Sequence, residues 1–127
     1  MRLETKRLIL RGYEKRDVGD IVEGLNNLKV AKWLALVPYP YTKKDAEKWI
    51  KHCIKNAKRG KKRNSYDFAI ELKSENKVIG GLTLDKINLF QGTAGGGIWI
   101  NAKYHGHGYG TEAFGEKIKF AFKKLGN

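Results

Sequence analysis

The chain has 127 residues, 41% hydrophobic and 31% charged, with 26 Lys and Arg against 13 Asp and Glu for a net charge of +13. That length suits one domain with a single core, and the composition excludes collagen, low-complexity disorder and a disulfide scaffold. The one cysteine, Cys53, excludes an intramolecular disulfide and a cysteine zinc site. Lysine carries the charge, at 20 Lys to 6 Arg. Such an excess favours acidic partners: nucleic acid, a ribonucleoprotein or a polyphosphorylated ligand. The longest apolar run, Trp33 to Val37, is far short of the ~20 residues of a membrane span. The charged start, Met1 to Lys6, has no apolar h-region. The expectation is a cytoplasmic domain without a membrane.

In chain order, residues 7–11 read as a strand. Asp17 is placed to cap a helix whose Val18, Ile21, Val22 and Leu25 follow the i, i+3, i+4, i+7 pattern. Val30, Trp33, Leu34 and Val37 repeat that pattern in a second helix, which Pro38-Tyr39-Pro40 stops. Thr42, with Asp45 three residues on, opens a third. Its apolar stripe is Ala46, Trp49, Ile50, Cys53 and Ala57; Lys48, Lys51, His52, Lys55 and Arg59 lie opposite, and the helix runs out at Gly60. The stripe makes Cys53 a core thiol rather than a nucleophile. Lys55 to Arg63 is the densest basic cluster. It reads either as a solvated helix end or as a surface for an acidic partner.

The period then changes to two. Tyr66, Phe68, Ile70 and Leu72 alternate with Asp67, Ala69 and Glu71 as a half-buried strand. Ser74 to Asn76 forms a turn into a strand from Val78 to Ile87 containing Gly80-Gly81. Gln91-Gly92 allows another reversal into a strand from Thr93 to Ile100. Short connections make these three strands an antiparallel meander. A glycine-rich stretch then enters a last helix, with Phe114, Ile118, Ala121, Phe122 and Leu125 as its apolar face. The order is that of an α+β or mixed α/β domain.

The clearest chemical signal is Gly106-His107-Gly108-Tyr109-Gly110, between a strand and a helix. Alternating glycines let several N–H groups converge with the positive end of a helix dipole, a site for phosphate or pyrophosphate. The bland alternative is a tight turn that needs glycine only for positive φ. No Gly-Lys-Ser/Thr follows, so this is not a P-loop. The spacing, the meander and the lack of an acidic residue about twenty positions on exclude a dinucleotide fingerprint.

His105-Gly-His-Gly-Tyr-Gly110 with Thr111-Glu112-Ala113 resembles the pyrophosphate loop of the GNAT superfamily of acyl-CoA-dependent N-acetyltransferases. The resemblance is strongest to the ribosomal-protein-alanine N-acetyltransferase branch. Leu3 to Arg11, Val37 to Thr42 with Asp45-Ala46 and Trp49-Ile50, Ile79-Gly-Gly81, and Trp99 to Gly106 share it in the right order. It implies the N-terminal portion of the mixed α/β GNAT fold, acetyl-CoA as donor, and a primary amine, such as a protein N-terminus, as acceptor. The pantetheine would pair with the backbone of Ile98, Trp99 and Ile100. The pyrophosphate would sit on the N–H groups of His105, Gly106, His107, Gly108, Tyr109, Gly110 and Thr111.

Three departures from the family pattern stand out. His105 replaces the usual Gln or Arg. Ala94-Gly-Gly-Gly97 offers no side chain near Gly95, where the branch often has an acidic residue, so a general base must come from Asp85, Glu71 or a water chain. The chain also stops after the third fold helix, implying a single GNAT-like domain over residues 1–127 that is incomplete at its C-terminus. The isolated chain is then expected to turn over poorly and to form a homodimer through an exposed strand edge. A non-catalytic basic module that holds CoA or an RNA-containing partner is the alternative. His105 and His107 lack the companions that metal ligands need, so no metal is expected.

Overall fold

The computed structural model describes residues 2–32, 34, 37–60, 65–88 and 93–126. The chain opens with a hairpin rather than one strand. β1 (Arg2–Glu4) pairs antiparallel with β2 (Leu8–Arg11), and the Thr5 N–H closes the turn on the Leu8 carbonyl at 2.9 Å. A 3-10 turn, Lys15–Asp17, leads into α1 (Val18–Leu25). Asp17 makes no side-chain cap to α1. Its carboxylate turns back instead, accepting from the Glu14 N–H at 2.7 Å and from Arg11 Nη1 at 2.9 Å.

The second expected helix is one short turn, α2 (Leu28–Ala31), capped by Asn27, whose side chain accepts from the Lys29 N–H at 2.9 Å. Leu34 and Val37 pack against the core outside any helix, and Trp33 lies outside the described residues. Leu34 and Val37 thus share the spacing of a helical stripe because both reach the core, not because a described helix carries them. α3 (Lys43–Ala57) begins with the capping box of Thr42 and Asp45 and ends before Gly60.

β3 (Ser65–Leu72) and β4 (Lys77–Asn88) form the central hairpin, with Asn76 at φ 50° in its turn. The reversal at Gln91-Gly92 lies outside the described residues. The strand expected over 93–100 is two, β5 (Thr93–Gly95) and β6 (Ile98–Ile100), both antiparallel to β4. Gly96 divides them at φ +122°, and a Cβ there would lie 1.9 Å from the Thr83 carbonyl oxygen. No other residue fits that break. Lys117 Nζ of α4 (Tyr109–Gly126) donates to the Gly96 carbonyl at 3.3 Å.

The sheet runs β1-β2-β3-β4, with β5 and β6 both on β4. Strand alternation divides its side chains between two layers. Leu8, Leu10, Phe68, Ile70 and Leu84 pack with Ala113 and Phe120 of α4. On the other face Ala69 and Val78 meet Ile21, Leu25, Ala46 and Ile50 of α1 and α3. No described helix is long and apolar enough to cross a membrane.

α4 turns a different side inward from the one its sequence predicts. Ala113, Lys117 and Phe120 are buried, while Phe114, Ile118 and Phe122 are 47%, 40% and 69% exposed; the side chain of Leu125 lies outside the described residues. The side turned inward is the one on which Ala113 and Phe120 pack against the sheet. Glu112 holds the start of the helix: its carboxylate accepts from Thr5 Oγ1, from the Arg7 N–H at 2.9 Å and from Arg7 Nε at 2.7 Å. Those bonds join the first turn of α4 to the turn between β1 and β2.

Candidate active site

The site begins with the edge of β6. Hydrogen-bonded and non-bonded pairs alternate along antiparallel strands. Thr83 N–H donates to the Gly97 carbonyl at 2.9 Å, and Asn101 N–H donates to the Ile79 carbonyl at 2.7 Å. The pair in phase between them, Gly81 with Trp99, therefore also faces inward. The backbone groups of Ile98 and Ile100 face outward, and among the described residues β6 pairs with β4 alone. The Trp99 backbone is committed to β4, which narrows the expected pantetheine edge to Ile98 and Ile100.

A 3-10 turn, Ala102–Tyr104, carries the chain from β6 to the glycine loop. The His105 N–H donates to the Ala102 carbonyl at 3.3 Å, so it is spoken for within that turn. His105 Nε2 lies 2.7 Å from the Ile100 carbonyl and ties the loop back to β6. This takes His105 out of the expected set of phosphate donors. Gly106 and Gly108 sit at φ +83° and +81°, the alternation that turns successive N–H groups toward one point. The first bond of the α4 ladder runs from the Glu112 N–H to the Gly108 carbonyl at 3.0 Å. The N–H groups of Tyr109, Gly110 and Thr111 precede the ladder and have no intrahelical acceptor. Arg7 stands beside this loop. Its guanidinium stacks on the Tyr109 ring at 4.4 Å, and a Cβ on Gly108 would meet its Nη2 at 3.5 Å. A helix N-terminus and open glycines suit a pyrophosphate; the Arg7 guanidinium beside them is paired with Glu112 at 2.7 Å.

At the other end of β6 lies a cavity of about 680 Å³. Its walls are aromatic: Tyr13, Tyr41, Trp49 and Trp99, with Tyr13 and Trp49 edge to face at 6.0 Å. Strand register lays out its floor. Ser65, Asp85 and Gly95 form one cross-strand row; Asp67, Thr83 and Gly97 form the next. Thr83 Oγ1 donates to Asp67 Oδ1 at 2.8 Å. α3 adds Asp45, Lys48 and His52. The Thr42 N–H, and then its hydroxyl, hold the Asp45 carboxyl below the usual range. Burial pushes the Tyr41 phenol up to about 12, and pushes the Tyr13 phenol higher still. Both walls are neutral hydroxyls at ordinary pH.

Of the two carboxylates considered as bases, Asp85 lines this cavity, half-buried. Glu71 does not. It is buried elsewhere, bound to Arg11 Nε at 2.9 Å, six positions along β3 from the Asp85 row and so about 20 Å away. Burial pushes the Cys53 thiol far above its ordinary range, consistent with a core role. Sequence reading missed Arg7 as a neighbour of the loop, because no spacing rule links residue 7 to residue 108. It also missed Asp67 beside Asp85, although a hairpin turning at Ser74–Asn76 puts both on one face.

Comparison with known proteins addresses the family and the fold. The acetyltransferase (GNAT) domain family matches residues 7–127. No curated protein matches the chain. Among solved structures, a protein from Vibrio cholerae assigned as a ribosomal-protein-serine acetyltransferase superposes with a TM-score of 0.81 at 22% identity, over 98% of this chain and 68% of that one. A GNAT-family acetyltransferase from Bacillus anthracis gives 0.76 at 23%, again over 98% and 68%. The ribosomal-protein-S5-alanine acetyltransferase from Vibrio fischeri gives 0.71 at 20%, over 98% and 68%. Two further similar structures hold CoA, and acetyl-CoA with AMP. These likenesses establish the fold, and the domain match over nearly the whole chain establishes the family: the protein is a member of the GNAT acetyltransferases, whose acyl donor is acetyl-CoA.

Proposed function

We propose that the protein acetylates a primary amine, the amino terminus of a protein, in the aromatic cavity beside β6. One observation carries this reading. The outward backbone groups of Ile98 and Ile100 run between a glycine loop suited to pyrophosphate and a cavity floored by carboxylates. The acceptor is supported by relatives whose names specify ribosomal-protein serine and alanine.

Bound acetyl-CoA supplies the activated acyl group. The rest falls to the chain. The N–H groups of Gly106 to Thr111 receive the diphosphate, and Arg7 stands at the same end with its charge shared with Glu112 at 2.7 Å. Ile98 offers its N–H and carbonyl along the edge and Ile100 its N–H, the Ile100 carbonyl being held by His105 at 2.7 Å. In a molecule of net charge +13, Asp45, Asp67 and Asp85 outnumber Lys48 around the cavity and draw in an ammonium. Only a neutral amine is nucleophilic, so a base must take its proton. Asp85 fits that task. Its cross-strand partner is Gly95, the position near which the family branch often has an acidic residue. Directly opposed residues of antiparallel strands share a face. The carboxylate is therefore available from the neighbouring strand.

The test is calorimetry with CoA, followed by thiol release from acetyl-CoA with a peptide amine as acceptor. We expect saturable CoA binding. We expect Asp85→Asn to keep CoA affinity and to lower the rate of thiol release by about 10²–10⁴, the usual worth of a positioned base. Absence of CoA binding rejects the site. An unchanged rate in Asp85→Asn rejects the base.

A further inference from the structure

α3 divides two concavities. One side of it lines the aromatic cavity; the other lines a groove of about 650 Å³, closed by the start of α1 and the turn before it. The floor of the groove is aliphatic, built by Val18, Ile50 and Ile54. Val18 and Ile54 are only half-buried, so apolar surface remains open to solvent. The rim is cationic. Lys15, Lys51, Lys55 and Lys58 stand around it, all exposed, against the single carboxylate of Glu47.

These lysines differ from other cations of the molecule. Arg7, Arg11, Lys73 and Lys77 each meet a carboxylate within 4 Å. Among the described residues, no ion pair engages any of the four rim lysines. Lys51 and Lys55 of α3 and its C-cap Lys58 also follow one another at i, i+4 and i+7, where like charges repel. The fold thus holds a stripe of uncompensated positive charge directly above open aliphatic surface.

We infer that this groove docks an acidic amphipathic segment of a partner protein. Its apolar side chains seat on Val18, Ile50 and Ile54, and its carboxylates meet the lysine rim. This is the pattern of a helix laid in a groove, with charge complementarity fixing its orientation. A nucleic acid suits the surface less well. Among the described residues that line it, the floor has no aromatic ring on which a base could stack, and the rim has no guanidinium for planar, bidentate phosphate recognition. The inference does not depend on acetyl transfer, because the groove and the cavity are separate surfaces of α3.

Fluorescence anisotropy with the whole chain tests it. The probes are a labelled helix-forming peptide with leucines at i, i+4 spacing among glutamates, the same peptide with each leucine replaced by alanine, and a single-stranded RNA. The leucine peptide should bind saturably. Lys51→Glu with Lys55→Glu should weaken it about tenfold or more, as should the alanine replacement, since each removes one of the two matched features. Lys51→Gln with Lys55→Gln should fall between, and circular dichroism checks that both variants keep their helices. No binding of the leucine peptide overturns the inference. So does an affinity unmoved by the charge variants, or RNA binding as tight as the leucine peptide and equally sensitive to them.

Discussion

The two faces of the sheet are built from the same strands, yet they do opposite things. On the α4 face, Leu8, Leu10, Phe68, Ile70 and Leu84 form a continuous apolar layer. On the α1–α3 face, alternate positions of the same strands carry Arg11, Asp67, Glu71, Thr83 and Asp85. A shift of one residue in pairing would exchange the two sets, so the hydrophobic layer is what holds the chemical layer in place. The chemical face is itself divided. At the β2 end its charges are sealed into an ion cluster, and at the β6 end they are left open as a cavity. In the ion cluster charge is buried and neutralised by an arginine; in the cavity, the proposed site, Asp67 and Asp85 are half-buried and no arginine is among the described lining residues.

The sharpest way to break this comparison is to remove the arginine. Arg11 is buried, with Nη1 and Nη2 at 2.9 and 3.0 Å from the two oxygens of Asp17 and Nε at 2.9 Å from Glu71. Burial disfavours its charge, but the hydrogen bonds to Asp17 and Glu71 outweigh that and hold the guanidinium more firmly protonated than usual. Arg11→Ala leaves two buried carboxylates facing each other and should cost about 3–5 kcal/mol. Urea unfolding followed by tryptophan fluorescence reads this. An unchanged midpoint would show that the cluster is not a structural unit.

Next in size is the wall between the two layers. A Cβ on Gly81 would lie 2.0 Å from the Tyr13 hydroxyl and 2.5 Å from Trp99 Nε1. Gly81→Ala must displace a buried ring and should cost about 1–3 kcal/mol. Gly97→Ala meets nothing within 4 Å and is the control. Equal losses from the two would mean that the aromatic walls are loose rather than packed.

Much of this arrangement is legible in the sequence. The capping box at Thr42, the period-two strands and the glycine loop each rest on local chemistry, and each stands where its residues predicted. What escaped depends on distant partners. Asp17 looks like a helix cap because nothing nearby reveals that Arg11 claims it. The strand over 93–100 looks continuous, because only Thr83 across the sheet makes Gly96 the break. The N–H groups of the loop look uniform in sequence, yet the Ala102 carbonyl holds that of His105. Half of the cavity floor is readable in principle, since hairpin register alone brings Asp67 and Asp85 together.

A smaller effect tests how α4 is hung. Burial alone would raise the Glu112 carboxyl, but hydrogen bonds from Thr5 and Arg7 outweigh it and hold the carboxyl below its ordinary 4.5. A depressed folded value means that the ionised form is favoured by folding. Its contribution is complete above the unfolded value and is lost as pH falls through the folded one. Glu112→Gln should therefore cost on the order of 1 kcal/mol at neutral pH. The gap to the native protein should close below pH about 4.5. Parallel stability curves across that range would separate Glu112 from its assigned partners.

The smallest expected effect is the most diagnostic for α4. Helical periodicity places Phe122 on the apolar face with Phe114 and Ile118, and a buried phenylalanine cut to a small side chain would cost about 3–5 kcal/mol. The structure places Phe122 69% exposed, with Phe120 turned inward against Phe68 and Tyr66 at ring distances of 5.7 and 5.1 Å. Phe122→Ser then removes little buried area and should move stability by no more than about 0.5 kcal/mol, the usual scale for a surface site. Phe120, seated on Phe68 and Tyr66, holds the opposite side of the helix inward. A loss above about 2 kcal/mol on urea unfolding would mean that Phe122 is covered in solution. In that case the inward roles of Phe120 and Lys117 fall.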